Sequence, residues 1–156
     1  MVLKKLPYNL TVCKLNKLEK ANLNAEFYFI GRTDEEISLV CRTADTPSET
    51  IERDDGWKGF RIIGQMDFSL IGILARISKI LAETGIGIFA ISTYNTDYIL
   101  TKEENFKKAM KVLKNAGYEV RELSSESSSL RPSRCGWTRI HLSVRSCRSS
   151  RTVQKS

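Results

Sequence analysis

Between Ile91 and Tyr98 the chain reads Ser92-Thr93-Tyr94-Asn95-Thr96-Asp97. The runs on either side, Ile88 to Ile91 and Tyr98 to Leu100, have the apolar character of strands. A hairpin turn needs only one or two residues with the right backbone preference. The surplus of hydroxyl, amide and carboxylate therefore either satisfies the turn's own backbone or forms a wall that holds a polar ligand. A second stretch with chemical potential is MDFSLIGIL, residues 66 to 74, which reads as a strand running directly into a helix. Unpaired backbone N–H groups and a partial positive charge at a helix N-terminus suit a carboxylate. Gly72 in the first turn costs about 1 kcal/mol relative to alanine. It is explained by close approach of a ligand or by tight packing of the helix on the sheet.

Other candidates dissolve on inspection. GIGIFA at 85 to 90 has the glycine spacing of a dinucleotide fingerprint, but that fingerprint needs a strand before it and a helix after it, and here the order is reversed. Asp34, Glu35 and Glu36, and likewise Asp54 and Asp55, have no calcium-loop spacing and read as solvated loop charge. The single histidine, His141, lies near the C-terminus, so no Ser-His or Cys-His nucleophile can be assembled in the body. Cys13, Cys41, Cys135 and Cys147 form no CxxC pair and read as free thiols. No catalytic residues, metal ligands or cofactors are expected.

Elements that could position the turn and the helix start are legible from 58 to 122. KGFRIIGQM is a strand, and Asp67 or Ser69 is placed to cap a helix with apolar positions Leu70, Ile73, Leu74, Ile77, Ile80 and Leu81. Gly85 marks that helix's end, and GIFAIST and YILT are the next strands. Thr101 with Glu104 reads as a capping box opening a helix over Phe106, Ala109, Met110 and Leu113. Gly117 stops it before the strand YEVRE. The order β-α-β-β-α-β is the ferredoxin-like unit, an antiparallel sheet with helices on one face, giving an α+β class. Residues 8 to 57 read as a degraded copy: NLTVCKL a strand, Asn16 to Asn24 a short helix or turn, EFYFIGRTDEEISLVCR a hairpin, and TPSETIERDDGW a loop or helical turn. The strand at 58 to 66 could close the first unit or open the second. The expected division is 1–60, 61–123 and a tail at 124–156.

Charge separates the tail from the rest. Seven of the 25 Lys and Arg fall after Glu126, where no acid occurs, so the 18 acids are balanced by the remaining cations before it. The Arg/Ser-rich tail reads as disordered and as a candidate non-native extension; an RNA-binding or membrane-surface tail is the rival reading. Nucleic acid is not an expected partner of the body. No apolar window spans a bilayer and the start lacks the apolar core of a signal peptide, so the expected location is the cytoplasm, with no membrane partner.

The specific residues of 59 to 120 resemble an ACT domain, the small regulatory fold that binds amino acids in biosynthetic enzymes. DFSLIGIL and STYNTD followed by YIL carry the likeness, which FYFIGRTDEEISLVC and DDGWKGFRI extend over roughly residues 3 to 122. More specifically, the chain resembles small stand-alone bacterial proteins with tandem ACT-like units, whose relatives include the eukaryotic cytosolic arginine sensors. This resemblance implies a ligand between the loop entering the first helix (Asp67, Phe68, Ser69, Leu70, Ile71, Gly72 and Ile73) and the turn after the second strand (Ser92, Thr93, Tyr94 and Asp97). In the arginine-sensor relatives the acidic residue of this turn faces the ligand's cation, and Asp97 occupies that place. The resemblance also implies a homo-oligomer and a sensor without catalytic activity. No catalytic domain for such a sensor to control is present in the sequence. The competing expectation is a protein–protein interaction or dimerisation module with a vestigial pocket.

Overall fold

The computed structural model describes residues 1–63 and 72–122. Eight strands form one sheet: β1 (Val2–Lys5), β2 (Leu10–Leu15), β3 (Tyr28–Arg32), β4 (Ile37–Arg42), β5 (Glu52–Ile63), β6 (Phe89–Ser92), β7 (Asp97–Lys102) and β8 (Glu119–Arg121). Two α-helices, α1 (Ile73–Glu83) and α2 (Glu103–Asn115), cover one face of its second half. The α+β class and the ferredoxin-like architecture expected from the sequence are both present.

β5 organises everything else. At Trp57 it pairs with Leu10 on one edge and Lys102 on the other; at Phe60 it pairs with Lys5 and Ile99. β1 and β2 therefore follow each other along one edge of β5, and β7 lies along the other. The N-terminal half of β5 completes the order β3-β4-β2-β5, while its C-terminal half opens the unit that continues through α1, β6, β7, α2 and β8. One strand thus does both jobs that the sequence left open for residues 58 to 66. The segment read as a loop at 46 to 57 is corrected from Glu52 onward, where β5 begins. Its charged, exposed Glu52-Arg53-Asp54-Asp55 run hid a strand whose ladder is supplied by β2.

The first half repeats the second in shortened form. Each hairpin closes on a threonine. The Thr33 and Thr93 amides donate to the carbonyls of Glu36 and Thr96, both at 2.9 Å. Both threonine hydroxyls accept from those residues' amides, at 3.2 and 3.3 Å. The strands leaving the two hairpins each end in a cation over an aromatic ring, Arg42 over Tyr8 and Lys102 over Trp57. Where the second half has α1 and α2, the first has only 3-10 turns, Leu18–Lys20 and Thr43–Asp45. The first half keeps the strand order of the second with 3-10 turns in place of the two helices.

Side-chain alternation divides the interior into layers. Leu3, Phe60, Ile62 and Ile99 face the helices and pack with Ile77, Leu81, Phe106, Met110 and Leu113. Phe60 is fully buried, which stabilises the fold by roughly 2 to 3 kcal/mol. On the opposite face, Val40 and Phe29 of the first hairpin join Leu100, Phe89 and Ile91 of the second. The two halves therefore curl so that their helix-free faces meet. Thr11, fully buried, donates to Asp55 Oδ1 at 2.6 Å and accepts from Thr43. That bond, with Arg53, holds the Asp55 carboxyl below the ordinary carboxylate range.

Helix ends follow local chemistry, with one correction. Gly85 and Gly117 adopt left-handed backbone (φ 72° and 93°) and the next amides, Ile86 and Tyr118, return to Leu81 and Leu113, the hydrogen-bond pattern of a glycine-terminated helix. The expected Thr101/Glu104 capping box is absent. α2 starts at Glu103 with Lys102 at its N-cap and no side-chain cap, because Thr101 is a buried strand residue whose hydroxyl turns to the Lys102 carbonyl. Glu103 and Glu104 still complement the helix dipole from the first turn.

Candidate functional site

The six-residue segment is a compact self-bonded turn. Thr93 Oγ1 donates to the Thr96 carbonyl at 2.8 Å while its own oxygen accepts from the Thr96 amide, so its polar groups serve the turn. Thr96 Oγ1 donates to the carbonyl of Ile62, next to the last residue of β5. That bond fixes the turn to the end of the strand that leads toward residues 64 to 71. Thr96 anchors the candidate turn and was not selected by the sequence reading; its position three residues after Thr93 was the available signal.

Ser92 and Asp97 face each other in register at the ends of β6 and β7. Alternation from Ile99, which packs under the helices, places both on the helix side of the sheet. Ser92 and Thr93 are exposed, Asp97 is half-buried, and the Tyr94 side chain is 91% exposed. Among the described residues the Asp97 carboxylate has no hydrogen-bond or ion-pair partner; only its carbonyl is approached, by Thr96.

Gly72 is the N-cap of α1, and Ile73 is the helix's first residue. Gly72 has φ 86°, a left-handed conformation that favours glycine, and a Cβ placed there would meet nothing within 4 Å. Among the described residues, backbone conformation rather than close packing explains the glycine. Asp67, Phe68, Ser69, Leu70 and Ile71 lie outside the described residues, but the expected capping by Asp67 or Ser69 is corrected: the N-cap of α1 is Gly72, with no side-chain cap, so Gly72 stands before the first turn rather than within it.

The repeat supplies an internal control. In the first hairpin Arg32 stands where Ser92 stands in the second, and Ile37 stands where Asp97 stands. Arg32 and Ile37 line an open groove of about 510 Å³ with Asn16, Lys17, Leu18 and Glu19, the segment that follows β2. The first repeat thus builds the same hairpin with an isoleucine at the position of the carboxylate. Asp97 is not required by the turn's geometry. Among the described residues no group of His, Cys, Asp and Glu is arranged to hold a metal ion, and no helix is long and apolar enough to cross a membrane.

Residues 52–115, from the start of β5 to the end of α2, match the family model of the ACT domain. No curated protein matches the chain. Among solved structures, a protein of Agobacterium tumefaciens is 28% identical with a TM-score of 0.70, covering 82% of this chain and 97% of that one. The aspartate kinase of Clostridium acetobutylicum is 18% identical with a TM-score of 0.52 over 73% of this chain; the match covers 33% of the kinase. The regulatory subunit of aspartate kinase from Thermus thermophilus is 11% identical with a TM-score of 0.50, covering 73% of this chain and 95% of that subunit. At these identities the two kinase matches establish likeness of fold.

Proposed function

We propose, from a match to the ACT-domain model over residues 52–115 and a turn whose carboxylate has no partner among the described residues, that this protein binds a small zwitterionic or cationic ligand of the amino-acid class. It does so without transforming it. The observation that carries the reading is the contrast between Asp97 and Ile37 in otherwise equivalent hairpins. A half-buried carboxylate without a partner loses solvation unless something charged completes it. The ligand's ammonium or side-chain cation meets Asp97 and the neighbouring Ser92, and its α-carboxylate meets backbone N–H groups at the start of α1, which opens at Ile73 after the N-cap Gly72. Thr93 and Thr96 hold the wall in place. The regulatory subunit of an aspartate kinase shares this fold, which is in keeping with a regulatory rather than catalytic role.

Self-association accompanies this reading. Among the described residues β3, β6 and β8 each pair on one edge only, leaving edges that a second copy can cover. A ligand seated near the open β6 edge would favour one packing of copies over another, which is how binding becomes a signal.

Thermal denaturation across a panel of amino acids tests the proposal. A ligand that binds the native state alone raises the melting temperature in a concentration-dependent way. A panel without any such rise, on protein shown to be folded, leaves the interaction-module reading in its place.

A further inference from the structure

The sheet face away from the helices carries three cations in one cross-strand row. Lys4 of β1 lies directly opposite Arg61 of β5 on one side and Arg121 of β8 on the other. Their chain neighbours Leu3, Phe60, Ile62 and Val120 pack toward the helices, so strand alternation places the three cations together on the other face. Residues directly opposite on paired strands have Cβ atoms roughly 5 Å apart, and like charges there are destabilising. Arg121 is relieved by Glu119, whose Oε1 accepts from its Nε at 2.6 Å. Lys4 and Arg61 are both half-buried, and among the described residues neither has an acidic partner. Around the pair, Gly59, Leu6, Val2 and Ile63 are uncharged, Tyr98 of β7 lies opposite Arg61, and Glu119, opposite Val2, is engaged by Arg121.

We propose that Lys4 and Arg61 form a binding site for an anionic group of the phosphate or carboxylate class, bridging β1 and β5. The arginine fork suits two oxygens of such a group, and the lysine supplies a compact charge against a third or shared oxygen. Occupation turns a repulsive pair into a three-body attraction and fastens β1, which is inserted between β5 and β8, to the central strand. The site lies on the face of β5 and β7 opposite to Asp97 and is independent of the amino-acid reading.

The test is the melting temperature of the full chain in chloride and in inorganic phosphate at equal ionic strength, with citrate as the carboxylate probe. Four variants accompany it: Lys4→Gln, Arg61→Gln, Lys4→Arg, and the exposed α2 control Lys111→Gln. We expect a saturable rise of several degrees with phosphate or citrate in the parent, Lys4→Arg and Lys111→Gln, and loss of that rise in Lys4→Gln and Arg61→Gln. In chloride alone, Lys4→Gln melts at or above the parent, since removing one charge removes the repulsion. Whichever of phosphate and citrate acts at the lower concentration names the anion class. The proposal is overturned by a parent that does not respond, by Lys4→Gln and Arg61→Gln responding as the parent does, or by Lys4→Arg losing the response. If Lys4→Gln does not fold, Arg61→Gln and Lys4→Arg decide the matter alone.

Discussion

The rings of Phe29 and Tyr98 lie with centroids 5.0 Å apart, although β4, β2 and β5 separate their strands in the sheet. In a flat sheet that separation is roughly 19 Å, four strand spacings. The sheet therefore closes its first half over its second, and this pair, with Phe27 at 5.9 Å from Tyr98, is where the closure is fastened. Phe29→Ala and Tyr98→Ala should each destabilise by about 2 to 4 kcal/mol as half-buried aromatic truncations. A double-mutant cycle should return a coupling of about 0.5 to 1.5 kcal/mol. Chemical denaturation of the four proteins measures it. Strict additivity would mean that the halves do not meet through these rings.

Gly59 sits beneath that closure. A Cβ at this position would stand 2.5 Å from Leu100 Cδ2 and 3.0 Å from Leu6 Cδ1. Gly59→Ala should therefore lose about 1 to 3 kcal/mol through overpacking, against the usual gain for replacing a strand glycine. Denaturant midpoints with an unchanged slope would confirm the mechanism as loss of native stability.

Much of this architecture was legible in the sequence, and the exceptions share a cause. α1, α2 and their glycine stops follow from apolar spacing and from Gly85 and Gly117, because each helix is stabilised by its own periodic face. The β6–β7 hairpin follows from two apolar runs around one polar turn. β1 was not distinguished as a strand inserted beside β8, since Val2 to Lys5 is too short for periodicity to speak. The start of β5 was hidden because a strand's backbone is satisfied by its neighbours, whatever its side chains. Of the site, the turn's composition was visible, but which hydroxyls the turn consumes was not. Thr93 and Thr96 can be separated from Asp97 only once their hydrogen bonds are drawn.

Cys13 and Cys41 are buried on adjacent strands, and burial pushes the Cys13 thiol up to about 11, with Cys41 also raised by burial. The unfolded chain's thiols ionise near their ordinary value, so between about pH 9 and 11 the unfolded state releases protons that the folded state keeps. Stability should fall as pH rises through that window, by on the order of 2 kcal/mol for Cys13. Cys13→Ala should flatten this slope in pH-dependent denaturation. At pH 8 alkylation of Cys13 should run about 100-fold or more below a free thiol, as read by peptide mass spectrometry. Rapid labelling of folded protein would contradict its burial.

Asp97 carries the functional proposal, and the first repeat says what its removal should do. Ile37 occupies the equivalent position in a hairpin with the same threonine closure, so the turn folds without a carboxylate there. Asp97→Ala should change stability by less than about 0.5 kcal/mol, the ordinary range for a position away from structural partners, as Asp97 is among the described residues. Its affinity for the ligand identified in the panel should fall by a factor corresponding to about 1.5 to 3 kcal/mol, the contribution of a charge-assisted hydrogen bond. Asp97→Asn, which keeps the shape and loses the charge, should show most of that loss. Thr96→Val should behave in the opposite way: releasing the turn from the Ile62 carbonyl lowers stability by about 1 kcal/mol and weakens binding only as far as the wall loosens. Calorimetric titration alongside denaturation of the three variants separates these outcomes. If Asp97→Ala binds as tightly as the parent while losing 1 kcal/mol or more of stability, the carboxylate belongs to the fold and the ligand lies elsewhere.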